Sequence, residues 1–216
     1  MKKKEALKPI IYQLLPRLFA NYNPEPVKDG TIEQNGSGRL NDITPGILRQ
    51  IRSLGATHVW YTGVIEHAHT PDYTRYGIPR HNPHIIKGKA GSPYAITDYY
   101  DIDPDLAVDV PSRIKEFERL VIRTHRAGLK VIIDFVPNHV GREYHSDARP
   151  KGIEDLGQGD NKEMFFDPNN NFYYITRQQF SPWEVDLGQG ADAYVEFPAR
   201  ASGDDCFTAF PGKYNW

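Results

Sequence analysis

Asp134, Asn138 and His139 stand in close succession in the run KVIIDFVPNH, residues 130–139. They put a carboxylate, a carboxamide and an imidazole where an apolar run ends. An imidazole there can hydrogen-bond sugar-like hydroxyls or ligate a metal, and the Asn138 side-chain oxygen suits a hard cation such as calcium. In the plainer reading, Asp134 holds neighbouring backbone while Asn138 and His139 form a turn. Spacing alone leaves both readings open.

A second group is Tyr94, Asp98, Tyr99, Tyr100, Asp101, Asp103 and Asp105. Carboxylates mixed with phenols can bind polyhydroxyl ligands or calcium, yet similar text occurs in solvated loops. An EF-hand is excluded, because its glycine and terminal glutamate are missing from their set positions. His67, His69 and His81 contain an HxH pair but lack partners at a defined spacing, so no catalytic metal is expected there. The chain has no phosphate loop, nucleophile elbow or HExxH motif.

The element that must position Asp134 is the strand 131–136, whose apolar density predicts burial on both faces, as in a parallel sheet. A shorter strand is expected at 10–15, ended by Pro16, and the Pro- and Gly-rich stretch 21–39 reads as loop. Ile47, Leu48, Ile51 and Leu54 define one helical face ending at Gly55, followed by the β-rich run 57–62. The order returns: Ser112 is an N-cap candidate, and Ile114, Phe117, Leu120, Val121, Thr124 and His125 form a helical face up to Gly128. IRSLGATHVW and THRAGLKVII thus share helix, glycine, strand punctuation, which predicts a parallel, right-handed βα fold. Between these units, residues 63–111 form an insertion too long for an ordinary connection. Beyond 141 the periodicity fades into Gly, Pro, Asn and aromatic text, with short strands expected at 172–176 and 193–197.

Composition narrows the function classes. A net charge of -2 with mixed signs predicts no nucleic-acid partner and no anionic membrane surface. Cys206 is the single cysteine, so an internal disulfide is impossible and a cysteine-built zinc site is not expected. Glu5, Lys8, Pro9 and Gln13 interrupt the basic N-terminus, so no signal peptide is read and a cytoplasmic location is expected. No apolar stretch reaches transmembrane length.

DFVPNH resembles the first signature region of the α-amylase family of glycoside hydrolases. Three further blocks resemble that family in the same order: IIYQLLPRLF, LRQIRSLGATHVWYTGVIE and SPYAITDYYDIDPDLA. WEVDLGQG faintly resembles a short signature near the end of the family's domain B. The resemblance implies an α/β fold, an incomplete (β/α)8 TIM barrel contributing its first three strands over 1–140, with an irregular, β-containing domain B over 141–216. It implies that Tyr94 stacks under a sugar ring, that His139 hydrogen-bonds its hydroxyls and that Asp134 organises the site. Asn138 falls on a structural calcium position, and Asp186 on the acidic position of the faint signature. Ser92 and Pro93 depart from the family, replacing the glycine usual before the tyrosine.

The implied activity is retaining hydrolysis or transglycosylation of α-glucans such as starch. This chemistry needs a carboxylate nucleophile and a carboxylic acid/base about 5 Å apart. The family draws both from later strands, so no catalytic carboxylate is expected within these residues and the segment alone is expected to be inactive. The alternative is a non-catalytic carbohydrate-binding relative that keeps the scaffold. Three strands of an eight-stranded barrel also leave an unpaired edge, which predicts self-association.

Overall fold

A computed structural model describes residues 8–182 and 185–201, which leaves Cys206, Trp183 and Glu184 outside the described residues. These residues form two compact units interleaved along the chain. The first comprises 8–22, 37–64 and 102–135, and the second 23–36, 65–101 and 136–201.

The first unit is built on a parallel sheet. Strand β1 (Ile11–Leu14) runs into Pro16, whose fixed φ opens a one-turn helix, α1 (Pro16–Phe19). Helix α3 (Pro45–Ser53) is capped by the Thr44 hydroxyl, which accepts from the Ile47 amide at 3.4 Å, and leads into strand β2 (His58–Tyr61). Helix α4 (Arg113–Arg126) then leads into β5 (Lys130–Ile133). The sheet order is β1-β2-β5, with Leu14 opposite Tyr61 and Tyr61 opposite Ile133, both pairings parallel. The repeated helix, glycine, strand order therefore folds as the sequence suggests.

Burial differs from expectation in three places. Strand β5 is only half-buried, with Ile133 42% exposed and Phe135, two residues past its end, 68% exposed, because β2 is its single sheet neighbour among the described residues. Helix α4 buries Arg113, Glu116, Leu120 and Thr124 and leaves Ile114 and His125 exposed. Glu116 tolerates burial because its two oxygens accept the amides of Val108 and Asp109 at 3.0 and 2.8 Å. Along α3, Leu48 and Ile51 are buried while Leu54 is 72% exposed.

The second unit contains a one-turn helix, α2 (Ile32–Asn35), inside the stretch read as loop. Its capping box joins Thr31 and Gln34, a pair legible as T-x-x-Q but masked by the surrounding Gly and Pro. The long insertion supplies β3 (Ile65–His67) and the seven-residue β4 (Ile96–Ile102), which pair with each other. Strands β6 (Tyr174–Ile175) and β7 (Ala199–Arg200) form an antiparallel ribbon. The strand expected at 193–197 is thus displaced to Ala199–Arg200. Ile85, Phe180, Tyr194 and Ala199 make the core there, with the Arg142 guanidinium 3.5 Å above the Phe180 ring.

Candidate functional site

In the first unit, Asp134 follows the carboxyl end of β5, where a parallel strand stops carrying ladder hydrogen bonds and its side chains become available. Trp60 lies opposite Ile132, and strand alternation puts Asp134 on the same face as Ile132. The Trp60 indole N–H accordingly donates to Asp134 Oδ1. The other oxygen, Oδ2, is buried and has no hydrogen-bond partner among the described residues. One oxygen of the carboxylate is therefore fixed and the other unspent.

The aspartates after β4 are structural. Asp103 Oδ1 accepts the Asp105 amide at 2.9 Å and turns the chain, and both side chains are buried. Burial lowers the pKa of Arg17 while the charges of Asp103 and Asp105 raise it, so the three groups form one buried electrostatic set. The solvated-loop reading does not hold for these two residues.

In the second unit, the Tyr99 hydroxyl donates to the carbonyl of Val136 and, at 3.3 Å, to that of His139. This ties residues 136–139 to β4, and burial pushes the Tyr99 phenol up. Asn138 Nδ2 lies 3.4 Å from His139 Nδ1, which leaves Asn138 Oδ1 without a partner among the described residues. Both side chains are exposed. Tyr94 is 41% exposed, its amide held by the Ser92 hydroxyl at 3.3 Å. The serine that replaces the expected glycine thus anchors the tyrosine's backbone. Among the described residues, no hydrogen bond or ring contact joins Tyr94 to His139.

Asp98 is fully buried and acts as a hub. Its Oδ1 accepts from the Ser146 hydroxyl and the Tyr100 amide, both at 2.7 Å, and its Oδ2 from the Ala148 amide at 3.1 Å. Ser146 had no sequence signal, since it lies 48 residues from its partner. Glu66, Asp101 and Asp147 bring carboxylate oxygens within 4.8 Å of one another, an oxygen donor set suited to a hard cation. Thr97 donates to Glu66 Oε1 at 3.2 Å. Asp186 accepts the Gly188 amide at 2.9 Å, the geometry of a turn.

His67, His69 and His81 are all buried, and His67 lies inside β3 rather than after a strand. His69 packs edge-on against His67, Tyr73 and His81, with centroids 6.4, 5.4 and 5.5 Å away. His67 contacts the carbonyls of Ile65 and Ala90 at 3.2 and 3.3 Å.

A family model described as "Alpha amylase, catalytic domain" matches residues 13–186. Maltase 1 of Drosophila virilis is 30% identical over 190 residues, covering 83% of this chain and 24% of that protein. The amino acid transporter heavy chain SLC3A1 of Rattus norvegicus is 43% identical over 134 residues, covering 62% of this chain and 14% of that protein. The structure of an α-amylase from Lactobacillus plantarum shares 24% identity at a TM-score of 0.46, covering 78% of this chain and 29% of that one. The chain spans about a quarter, or less, of the length of the curated relatives it matches.

Proposed function

The chain belongs to the α-amylase catalytic-domain family, and from that premise we propose that it is the substrate-contacting part of a retaining glycoside hydrolase acting on α-glucans. The carrying observation is the family match over residues 13–186, which takes in Tyr94, Asp134, Asn138 and His139 together. Tyr94 offers an exposed ring face to a sugar, and His139 offers an exposed imidazole to its hydroxyls. Asp134, fixed by the Trp60 indole, positions and does not react. Asn138 contributes its unspent oxygen to a structural calcium.

The reaction needs a carboxylate nucleophile and a carboxylic acid/base about 5 Å apart, passing through a covalent glycosyl-enzyme intermediate. We assign both carboxylates to polypeptide other than these 216 residues, and hydrolysis and glycosyl transfer remain equally served by that intermediate. We further propose that the protein acts in the cytoplasm. None of its described helices is long and apolar enough to cross a membrane.

The test is turnover of maltooligosaccharides followed by NMR of the anomeric protons. The 216-residue chain alone should show none. A polypeptide that adds the later strands should release the α-anomer first, and His139→Ala in it should cost about a hundredfold or more in kcat/KM. Release of the β-anomer, or turnover by the short chain, overturns the assignment.

A second reading follows from the match to a protein named as an amino acid transporter heavy chain. Here the scaffold serves binding without hydrolysis. It predicts maltooligosaccharide or partner-protein binding with no turnover even when the later strands are present.

A further inference from the structure

Residues 144–200 of the second unit enclose an open cleft of about 540 Å³, within the range of small-molecule sites. Its wall carries two carboxylates, Asp155 and Glu196, and both are largely committed to groups of the chain itself. Asp155 Oδ2 accepts the Ser146 amide at 3.0 Å and Arg149 Nη1 at 3.4 Å and lies 2.9 Å from His145 Nδ1, while Oδ1 accepts the Leu156 amide at 3.0 Å. Glu196 accepts Arg142 Nη1 at 2.8 Å, the Arg200 amide at 2.5 Å, the Tyr194 hydroxyl at 2.5 Å and Arg200 Nη2 at 3.3 Å. A carboxylate has about four acceptor positions, so Glu196 has none left for a ligand, while Asp155 keeps one on Oδ1.

The donors of the same wall are in the opposite state. Lys162 makes no hydrogen bond or ion pair among the described residues, although it lines the cleft. Arg149 spends Nε and Nη1 on its own chain and on Asp155, which leaves Nη2. Arg200 spends only Nη2 of its guanidinium, and its plane is steadied over the Phe172 ring at 5.0 Å. Gln158 turns its oxygen to the Asp155 amide at 3.1 Å, leaving its amide hydrogens. A neutral sugar brings hydroxyls that need acceptors as well as donors. The phosphate of a phosphorylated sugar adds acceptors only, which guanidinium forks match, and the open position on Asp155 Oδ1 can take one of the sugar's hydroxyls.

We propose that this cleft binds a phosphorylated sugar, its phosphate set against Arg149, Lys162 and Arg200 and its ring against the aromatic wall of Phe172 and Phe197. Phe197 is 67% exposed at the rim, where a ring face can be covered by a ligand. This site does not depend on the glycosidase reading. Its charges sit beside carboxylates already paired with Arg142, Arg149 and Arg200, so the cations of the wall outnumber its carboxylates.

Calorimetry on the 216-residue chain tests it with three probes: glucose 6-phosphate, glucose and inorganic phosphate. Glucose 6-phosphate should bind at least about tenfold more tightly than either of the others, and less tightly as salt is raised. Lys162→Glu, an exposed change that breaks no contact, should weaken that binding about tenfold or more, and Phe197→Ala should weaken it without affecting inorganic phosphate. Glucose binding as tightly as glucose 6-phosphate would overturn the anion assignment. Inorganic phosphate binding as tightly would overturn the sugar assignment. Wild-type affinity in a folded Lys162→Glu chain, judged by circular dichroism, would overturn the site.

Discussion

The indole N–H of Trp60 donates to Oδ1 of Asp134, joining the carboxyl ends of two adjacent parallel strands across 74 residues of sequence. Because Trp60 is in register with Ile132, the bond reaches one pleat beyond the last ladder pair and fixes a carboxylate that the backbone no longer holds. Trp60→Phe keeps the ring and removes the donor, leaving both carboxylate oxygens without partners. A hydrogen bond to a charged group contributes about 1.5–3 kcal/mol, and the half-buried setting favours the lower end. Denaturant melts of Trp60→Phe, Asp134→Ala and the double variant should give a coupling energy near that value. Simple additivity would show that the pair contributes nothing.

A second prediction concerns the backbone behind Tyr94. Gly91 has φ +72°, and a Cβ there would lie 1.6 Å from the Ala68 carbonyl oxygen. That carbonyl belongs to a residue whose amide already bonds Ala95 at 2.9 Å, so it cannot retreat cheaply. Gly91→Ala should cost at least about 2 kcal/mol from the left-handed backbone and the clash together. A melting temperature within a degree of the parent would contradict the tightness of this approach.

The legible and the illegible parts of the fold divide along physical lines. Strands β1, β2 and β5 and helices α3 and α4 were readable because each is specified locally, by β-branched density or by an apolar stripe ending in glycine. The burial of β5 was overread, since apolar density states what a strand can bury and a second neighbour decides whether it does. Strand β4 was hidden by its carboxylates Asp98 and Asp101, and the burial of Asp98 depends on Ser146 and Ala148, partners that only the folded chain supplies. The ribbon strand at Ala199–Arg200 was misplaced because its pairing with Tyr174 is long-range. In the candidate site, Asp134, Asn138 and His139 are singled out by residue type at a strand end. Trp60 was missed because no spacing rule reaches across 74 residues.

A third prediction is a pH dependence. Burial raises the pKa of Glu196, but Arg142 and Arg200 pull it down further, together with the Tyr194 and Arg200 hydrogen bonds, and the net direction is below the ordinary carboxylate range. A depressed carboxyl pKa means that the folded state binds fewer protons than the unfolded one. Its contribution to stability is thus fully present above the unfolded value of about 4.3 and is lost as pH falls through the folded value. Glu196→Gln should cost about 2 kcal/mol at pH 7, between the values for exposed and buried pairs. It should also flatten the decline of stability below about pH 4.3. An unchanged acid limb would assign that decline to other carboxylates.

The last prediction comes from the edges of the parallel sheet. In the order β1-β2-β5, both β1 and β5 expose one row of backbone donors and acceptors, and Ile11 and Ile133 stand 48% and 42% exposed on them. Parallel strands with apolar edges are templates for further pairing, since pairing satisfies the backbone groups and removes apolar surface together. The 216-residue chain should therefore self-associate at micromolar concentration, by light scattering, in a way that depends on β5. Ile133→Lys places a charge on that edge strand and should shift the population toward monomer while leaving the helical circular dichroism signal in place. A parent chain that is monomeric at those concentrations would mean that these edges are covered within the chain itself.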